Sequence, residues 1–160
     1  MKLISSDFKD QETLSKEQEF NGFGGSGDNI SPQLSWENIP AGTQSFAVTA
    51  YDPDAPTGSG FWHWVAFDIP AEVKSLAENS GNTAEENPYS FTQSHNDFGL
   101  PGYSGACPPE GDNAHPYIFT IHALGVDKLG IDQHTPNAVA RFLIHANSLA
   151  SASLTGFYQR

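Results

Sequence analysis

YDPDAPTGSGFWHWVAFDIP, Tyr51 to Pro70, packs three aspartates, three prolines, two tryptophans and one histidine into twenty positions. Its two halves read differently. In DPDAP the prolines fix φ and the aspartates accept local backbone hydrogen bonds, the chemistry of a turn. Phe61 to Ile69 (FWHWVAFDI) is apolar on both faces, which predicts a central strand covered on both sides. Phe46 to Tyr51 (FAVTAY), just upstream, is a shorter apolar strand, and Tyr117 to Leu124 (YIFTIHAL) is a third of the same kind.

Composition sets the frame for these strands. The 160 residues include 15 Gly and 11 Pro, a turn-rich usage that favours a β-rich chain over a helical bundle. Eleven Phe, five Tyr and three Trp supply core material, so residues 1–160 are expected to form a single domain. Nineteen acidic against seven basic residues give a formal net charge of −12. A field of that sign repels nucleic acid and anionic membranes, and any anion site must be built locally from a few aimed donors. The single cysteine, Cys107, excludes an intrachain disulfide, and no apolar run reaches signal or membrane-span length. A cytoplasmic protein without stable membrane insertion is the expectation.

Between the second and third strands, Glu72 to Asn113 is polar and rich in Gly and Pro, with at most a strand fragment at Ser90 to Gln93. A loop region this long in a compact domain is where function is expected. Near the end, Val139, Phe142, Leu143, Ala146 and Leu149 recur at helical spacing, with Thr135 as N-cap and Pro136 at the first helical position. Ser151 to Tyr158 reads as a closing strand. The fold class is therefore mainly β: a β-sandwich with one or two peripheral helices near the C-terminus.

Several motifs compete for a functional reading. GFGGSG, Gly22 to Gly27, matches a dinucleotide-loop pattern by letter, but no buried strand precedes it and Pro32 interrupts any helix after it, so it reads as a plain loop. Cys107 in ACPPEG has no base paired with it in the sequence, and no nucleophile elbow occurs. Simple alternation puts Phe61, His63, Val65 and Phe67 on one face and Trp62, Trp64 and Ala66 on the other. His115 and Tyr117, two apart, share a face and offer an imidazole and a phenol as donors to a phosphate oxygen. A carboxylate from Asp52 or Asp54 near His63 would orient its ring and favour its charged form. Two Asp and two His also suit a metal, but D-x-D alone is not a metal-ligand spacing and no H-x-x-x-H or C-x-x-C supports it, so no metal and no cofactor are expected. His95, His122, His134 and His145 are assigned no role.

Four blocks, NISPQLSW (Asn29–Trp36), Tyr51–Pro70, GYSGACPPEG (Gly102–Gly111) and HPYIFTIHAL (His115–Leu124), together resemble the phosphatidylethanolamine-binding protein (PEBP) family. Within it they are similar to the bacterial Raf-kinase-inhibitor-like branch, the YbhB/YbcL type. The resemblance implies two antiparallel sheets with Greek-key strands and a cavity for small anions such as phosphate, acetate or a phosphoryl head group. By matching position it implies ligand contacts from Asp52, Asp54, His63, Pro109, His115 and Tyr117, with Trp62, Gly105, Cys107 and Pro108 at the rim. It further implies a cis bond at Pro56 and the possibility of a homodimer. Pro116 stands where many relatives carry a basic residue, and Ala106 where a proline is frequent. The expected function is non-enzymatic binding, with Asp52 holding His63 and Asp54 able to accept from an ammonium. A protein-interaction module that inhibits a kinase or hydrolase is the alternative, and an Asp/His-dependent hydrolase a weaker one.

Overall fold

The computed structural model describes residues 1–160. Its elements are β1 (Lys2–Ile4), a 3-10 turn (Lys16–Gln18), β2 (Leu34–Glu37), β3 (Ser45–Asp52), β4 (Phe61–Pro70), β5 (Ser75–Leu76), β6 (Thr92–Gln93), β7 (His115–Leu124), α1 (Asn137–Asn147) and β8 (Ser148–Tyr158). Two sheets form, one in the order β1-β2-β5 and one in the order β6-β4-β3-β7-β8, with every pairing antiparallel. β3, β4 and β6 lie side by side and β7 returns to lie beside β3, which is the Greek-key order, with β5 diverted into the small sheet.

The central strands β3 and β4 of the large sheet are buried on both faces, as their doubly apolar sequences require. On one side Phe46, Val48, Trp64, Phe119 and Ile121 pack against Leu3, Leu34 and Trp36 of the small sheet. On the other, Ala47, Val65 and Phe67 pack beneath Ala140 and Ile144 of α1. No helix is long and apolar enough to cross a membrane.

Two irregularities in β4 matter for the site. Tyr51 pairs with Trp62 but Ala50 pairs with Trp64, so His63 is the extra residue of a β-bulge. A second register shift falls near Asp68, whose φ is +58° and whose carboxylate accepts from the Leu129 amide at 2.9 Å. The bulge at His63 overturns the simple alternation of this strand. Trp64 and Ala66 face the sandwich interior, and so does His63, whose ring stands 5.3 Å from that of Tyr117; Trp62, Val65 and Phe67 face the helix.

The helix also departs from expectation. Pro136, not Thr135, is the capping residue, and no side chain caps the N-terminus. The apolar repeat does not form its buried face: Phe142 is 72% exposed and Val139 46%, while Leu149 belongs to β8. Small Ala140 lets the backbone approach the sheet, and Arg141 lies over the Trp62 ring at 4.0 Å. No cis peptide bond occurs, so Pro56 is trans.

Candidate functional site

Antiparallel pairing brings the end of β3 and the starts of β4 and β7 together at one end of the large sheet. Asp52, His63, His115 and Tyr117 therefore converge from positions far apart in the chain, all of them buried. Above them opens a cavity of about 500 Å³, the largest in the molecule. Phe23, Phe61, Phe98, Ala55, Pro56, Pro108 and Pro109 give it apolar walls, and Asp52, His63, Asp97, Thr57 and Cys107 supply its polar atoms.

Asp52 is the hub. Its Oδ1 accepts from the Asp54 amide at 2.9 Å, the local bond expected of a DPD turn. Its Oδ2 meets His115 Nδ1 at 2.8 Å, so the carboxylate orients His115, not His63 as the sequence suggested. The cause is the strand register: Asp52 pairs across to Phe61, while the His63 ring turns to the Ser104 carbonyl, 2.8 Å from Nδ1. A carbonyl only accepts, so Nδ1 carries the proton and Nε2 is left available. Burial pulls the His63 pKa down, and neither the Ser104 carbonyl nor the charge of Asp52 offsets it.

His115 is held at both nitrogens. Its Nε2 lies 2.9 Å from Asp112 Oδ2, opposite the Asp52 contact. Two carboxylates can each receive a proton from this ring only as the imidazolium. Burial disfavours that charge, but the hydrogen bonds to Asp52 and Asp112 outweigh it, and the His115 pKa is raised. The Tyr117 hydroxyl is buried with no partner at ordinary hydrogen-bond distance, although the Asp52 carboxylate and the Cys107 amide lie close enough to act on it. Burial and the neighbouring charge of Asp52 push its pKa up, so it stays a neutral phenol with a donor to give.

The wall opposite the strands is a lattice of loop contacts. The Phe20 amide donates to the Ala106 carbonyl at 2.9 Å and the Ala106 amide to the Gln18 carbonyl at 3.1 Å, zipping the segment around Glu19 onto the Ala106 loop. Asn29, at φ +56°, accepts from the Gly105 amide at 2.7 Å. With the Gly105 and Ala106 amides spent, the Cys107 amide is the loop's remaining backbone N–H before Pro108, and it is directed toward the Tyr117 hydroxyl. Arg160 clasps two loops, donating to the Pro108 carbonyl at 2.8 Å and the Gly24 carbonyl at 3.0 Å. The GFGGSG segment is thus a rim loop that presents Phe23.

Of the residues singled out in the sequence, Asp52, His63, Cys107, Pro108 and Pro109 line the cavity. His115 and Tyr117 lie behind that lining. Asp54 is exposed and points no group into the cavity wall, Gly105 is packed under the Gln18–Phe20 segment, and Trp62 faces the helix. Sequence reasoning missed Phe23, Phe98, Asp97, Ser104 and Asp112. The one legible signal among them was a phenylalanine inside a run of glycines, a large apolar group on a loop too flexible to bury it.

A family profile described as phosphatidylethanolamine-binding protein matches residues 4–159. The chain belongs to the phosphatidylethanolamine-binding protein family. It is 49% identical over 158 residues to the UPF0098 protein YbhB of Escherichia coli strain K12, covering 99% of each chain. It is 44% identical to YbcL of the same organism, over 98% of this chain and 86% of that one. The crystal structure of E. coli YbcL, described as a new member of the mammalian PEBP family, superposes with a TM-score of 0.96 at 43% identity, over 99% of this chain and 98% of that one. A PEBP homologue from Chlamydia trachomatis superposes with a TM-score of 0.81 at 26% identity, over 99% and 97% of the two chains. The PEBP fold is carried here by the two-sheet sandwich, and the cavity sits where its strands β3, β4 and β7 end.

Proposed function

We propose that this PEBP-family protein is a non-enzymatic binding protein whose cavity takes a small phosphoryl-bearing ligand. The observation that carries the reading is the cavity of about 500 Å³ with His63 in its wall and, directly behind it, the buried Tyr117 hydroxyl, which has no partner at ordinary hydrogen-bond distance. A buried donor without an acceptor costs roughly 1–3 kcal/mol, and an arriving anion repays it. His63 adds a donor at Nε2 when it takes a second proton, and the Cys107 amide adds another.

No Lys or Arg lines the cavity, while Asp52 and Asp97 do. Bare dianions are therefore poorly served, and a ligand that also carries an ammonium is favoured. With a net charge of −12 opposing encounter, affinity falls in the micromolar range or weaker, on the order of 10⁻⁶ M at best. The non-enzymatic reading draws support from His115, whose nitrogens are both committed to carboxylates, and from the Cys107 thiol, which donates to the Phe23 carbonyl at 3.5 Å.

The test is a titration of phosphoethanolamine and inorganic phosphate followed by histidine ring NMR. Saturable shifts at His63, weaker for phosphate than for phosphoethanolamine and lost in Tyr117→Phe, are expected. Flat signals at millimolar ligand overturn the reading. A second reading, modulation of a kinase or other protein through a phosphorylated side chain, draws support from Phe23, 83% exposed at the mouth, where a partner surface would cover it. Binding of a phosphopeptide that weakens in Phe23→Ser, with phosphoethanolamine binding unchanged, separates the two.

A further inference from the structure

The cavity stops short of His115. Its wall includes Pro108 and Pro109 but neither His115 nor Asp112, because the Asp112 carboxylate stands on His115 Nε2 at 2.9 Å and closes that side. The two partners differ in how firmly they are held. His115 is 5% exposed at its side chain and fixed from behind by Asp52. Asp112 is 45% exposed and sits on the exposed loop 109–113, whose backbone is tied by an Asp112 amide to Pro109 carbonyl bond and a Gly111 amide to Arg160 carbonyl bond, each 3.2 Å.

A carboxylate oxygen 2.9 Å from an imidazolium N–H occupies the place where a bound anion would put its own oxygen, since charge-assisted N–H···O contacts run about 2.7–2.9 Å. Both cannot be there. We propose that Asp112 is an internal surrogate for the ligand: its carboxylate holds the anion seat on His115, and only an anion able to displace a carboxylate takes it. The inference rests on the phosphoryl-binding reading above and names the residue that sets its selectivity. A phosphate dianion brings more charge and three acceptor oxygens, enough to reach His115 and Tyr117 together. A monocarboxylate offers His115 no more than Asp112 already does, and must displace a group that is tethered at high effective concentration. When displaced, Asp112 swings into water from a side chain already half exposed, so the exchange requires no rearrangement of the core.

The experiment is a pair of titrations, inorganic phosphate and acetate, on the wild type, Asp112→Asn and Asp112→Ala, read by calorimetry and by the His115 ring nitrogen signals, with amide spectra confirming the fold. The expected result is about a tenfold gain in phosphate affinity in Asp112→Ala, and acetate binding that approaches phosphate binding once the carboxylate is gone. Binding by the variants alone, with a wild type silent to phosphate, means that phosphate does not displace Asp112 and overturns the proposal. Phosphate binding that shifts His63 but has the same affinity in all three proteins overturns the role of Asp112 and leaves the pocket reading standing. Absence of phosphate and acetate binding in all three folded proteins overturns both.

Discussion

The Asp52 carboxylate meets Nδ1 of His115 at 2.8 Å, with the two side chains only 3% and 5% exposed. This buried contact joins the last residue of β3 to the first of β7, and it fixes the floor on which the cavity is built. Removing one partner of a buried ion pair costs roughly 3–5 kcal/mol, and the lower end applies here because Asp112 still faces His115 Nε2. Asp52→Ala is therefore expected to lower the unfolding free energy by about 3 kcal/mol in urea titrations at pH 6. The sign of the pH dependence follows from the raised His115 pKa. A histidine with a folded-state value above its unfolded one adds stability that is full below about 6.5 and fades as pH climbs through the folded value. The wild type should lose this increment on the alkaline side and Asp52→Ala should keep only the part that Asp112 supplies, so the gap between them narrows as pH rises. Curves that stay parallel would refute the assignment.

His122 behaves in the opposite sense. It is 6% exposed, its Nδ1 has no partner, and burial together with the charge of His145 brings its pKa down to about 4. The ring is buried neutral and must take a proton to match the unfolded chain. Its stabilising effect is present above about 6.5 and is lost as pH falls toward the folded value, a change of up to about 3 kcal/mol. His122→Gln should flatten the acid limb of the stability profile between those two values. An acid limb identical to that of the wild type would show that other groups carry it.

Cys107 lines the cavity and is nonetheless expected to be slow with thiol reagents. Burial and the charge of Glu19 raise its pKa against the pull of Arg160, and its thiol donates to the Phe23 carbonyl at 3.5 Å. The thiolate is the reactive form, so modification at neutral pH should run at least tenfold slower than in the urea-unfolded chain. Bound phosphoethanolamine should slow it further, because the ligand and the reagent share one entrance. Equal rates in native and unfolded protein would contradict the half-buried, hydrogen-bonded thiol geometry.

The strands could be read from the letters because burial on both faces leaves a simple apolar signature, as in β3, β4 and β7. Their ends drew the eye to Asp52, His63, His115 and Tyr117 for sound reasons: each is a polar group at the rim of an apolar run. The pairing among them was not legible. It depends on the bulge at His63, which reverses the facing of Trp64 and Ala66, and a bulge leaves no mark in composition. The helix misled for a different reason. An apolar stripe announces a helix but does not say which face is buried, and here Ala140 and Ile144 are, while Phe142 is not. Asp112 escaped because a carboxylate in a Gly- and Asn-containing loop reads as solvated turn, and only the folded loop brings it onto His115.

Gly105 tests whether the loop wall is as closely fitted as the contacts imply. A methyl group there would sit 2.2 Å from the Gln18 carbonyl oxygen and 2.7 Å from the Phe20 amide nitrogen. Both are backbone atoms, held by the bonds between the Gln18–Phe20 segment and Ala106, so neither can yield without opening that pairing. Gly105→Ala should therefore cost about 2–3 kcal/mol, the range of overpacked core positions. It should also weaken phosphoethanolamine binding, since the shift is passed directly to Cys107 and Pro108. Gly111→Ala is the comparison that isolates the cause. Nothing stands within 4 Å of its added carbon, and its penalty comes only from φ +86°, worth roughly 1 kcal/mol. Thermal and urea unfolding of the two variants should rank Gly105→Ala as clearly the more damaging. The reverse order would mean that the Ala106 loop moves freely against the Gln18–Phe20 segment, and that the cavity is bounded on that side by a mobile wall.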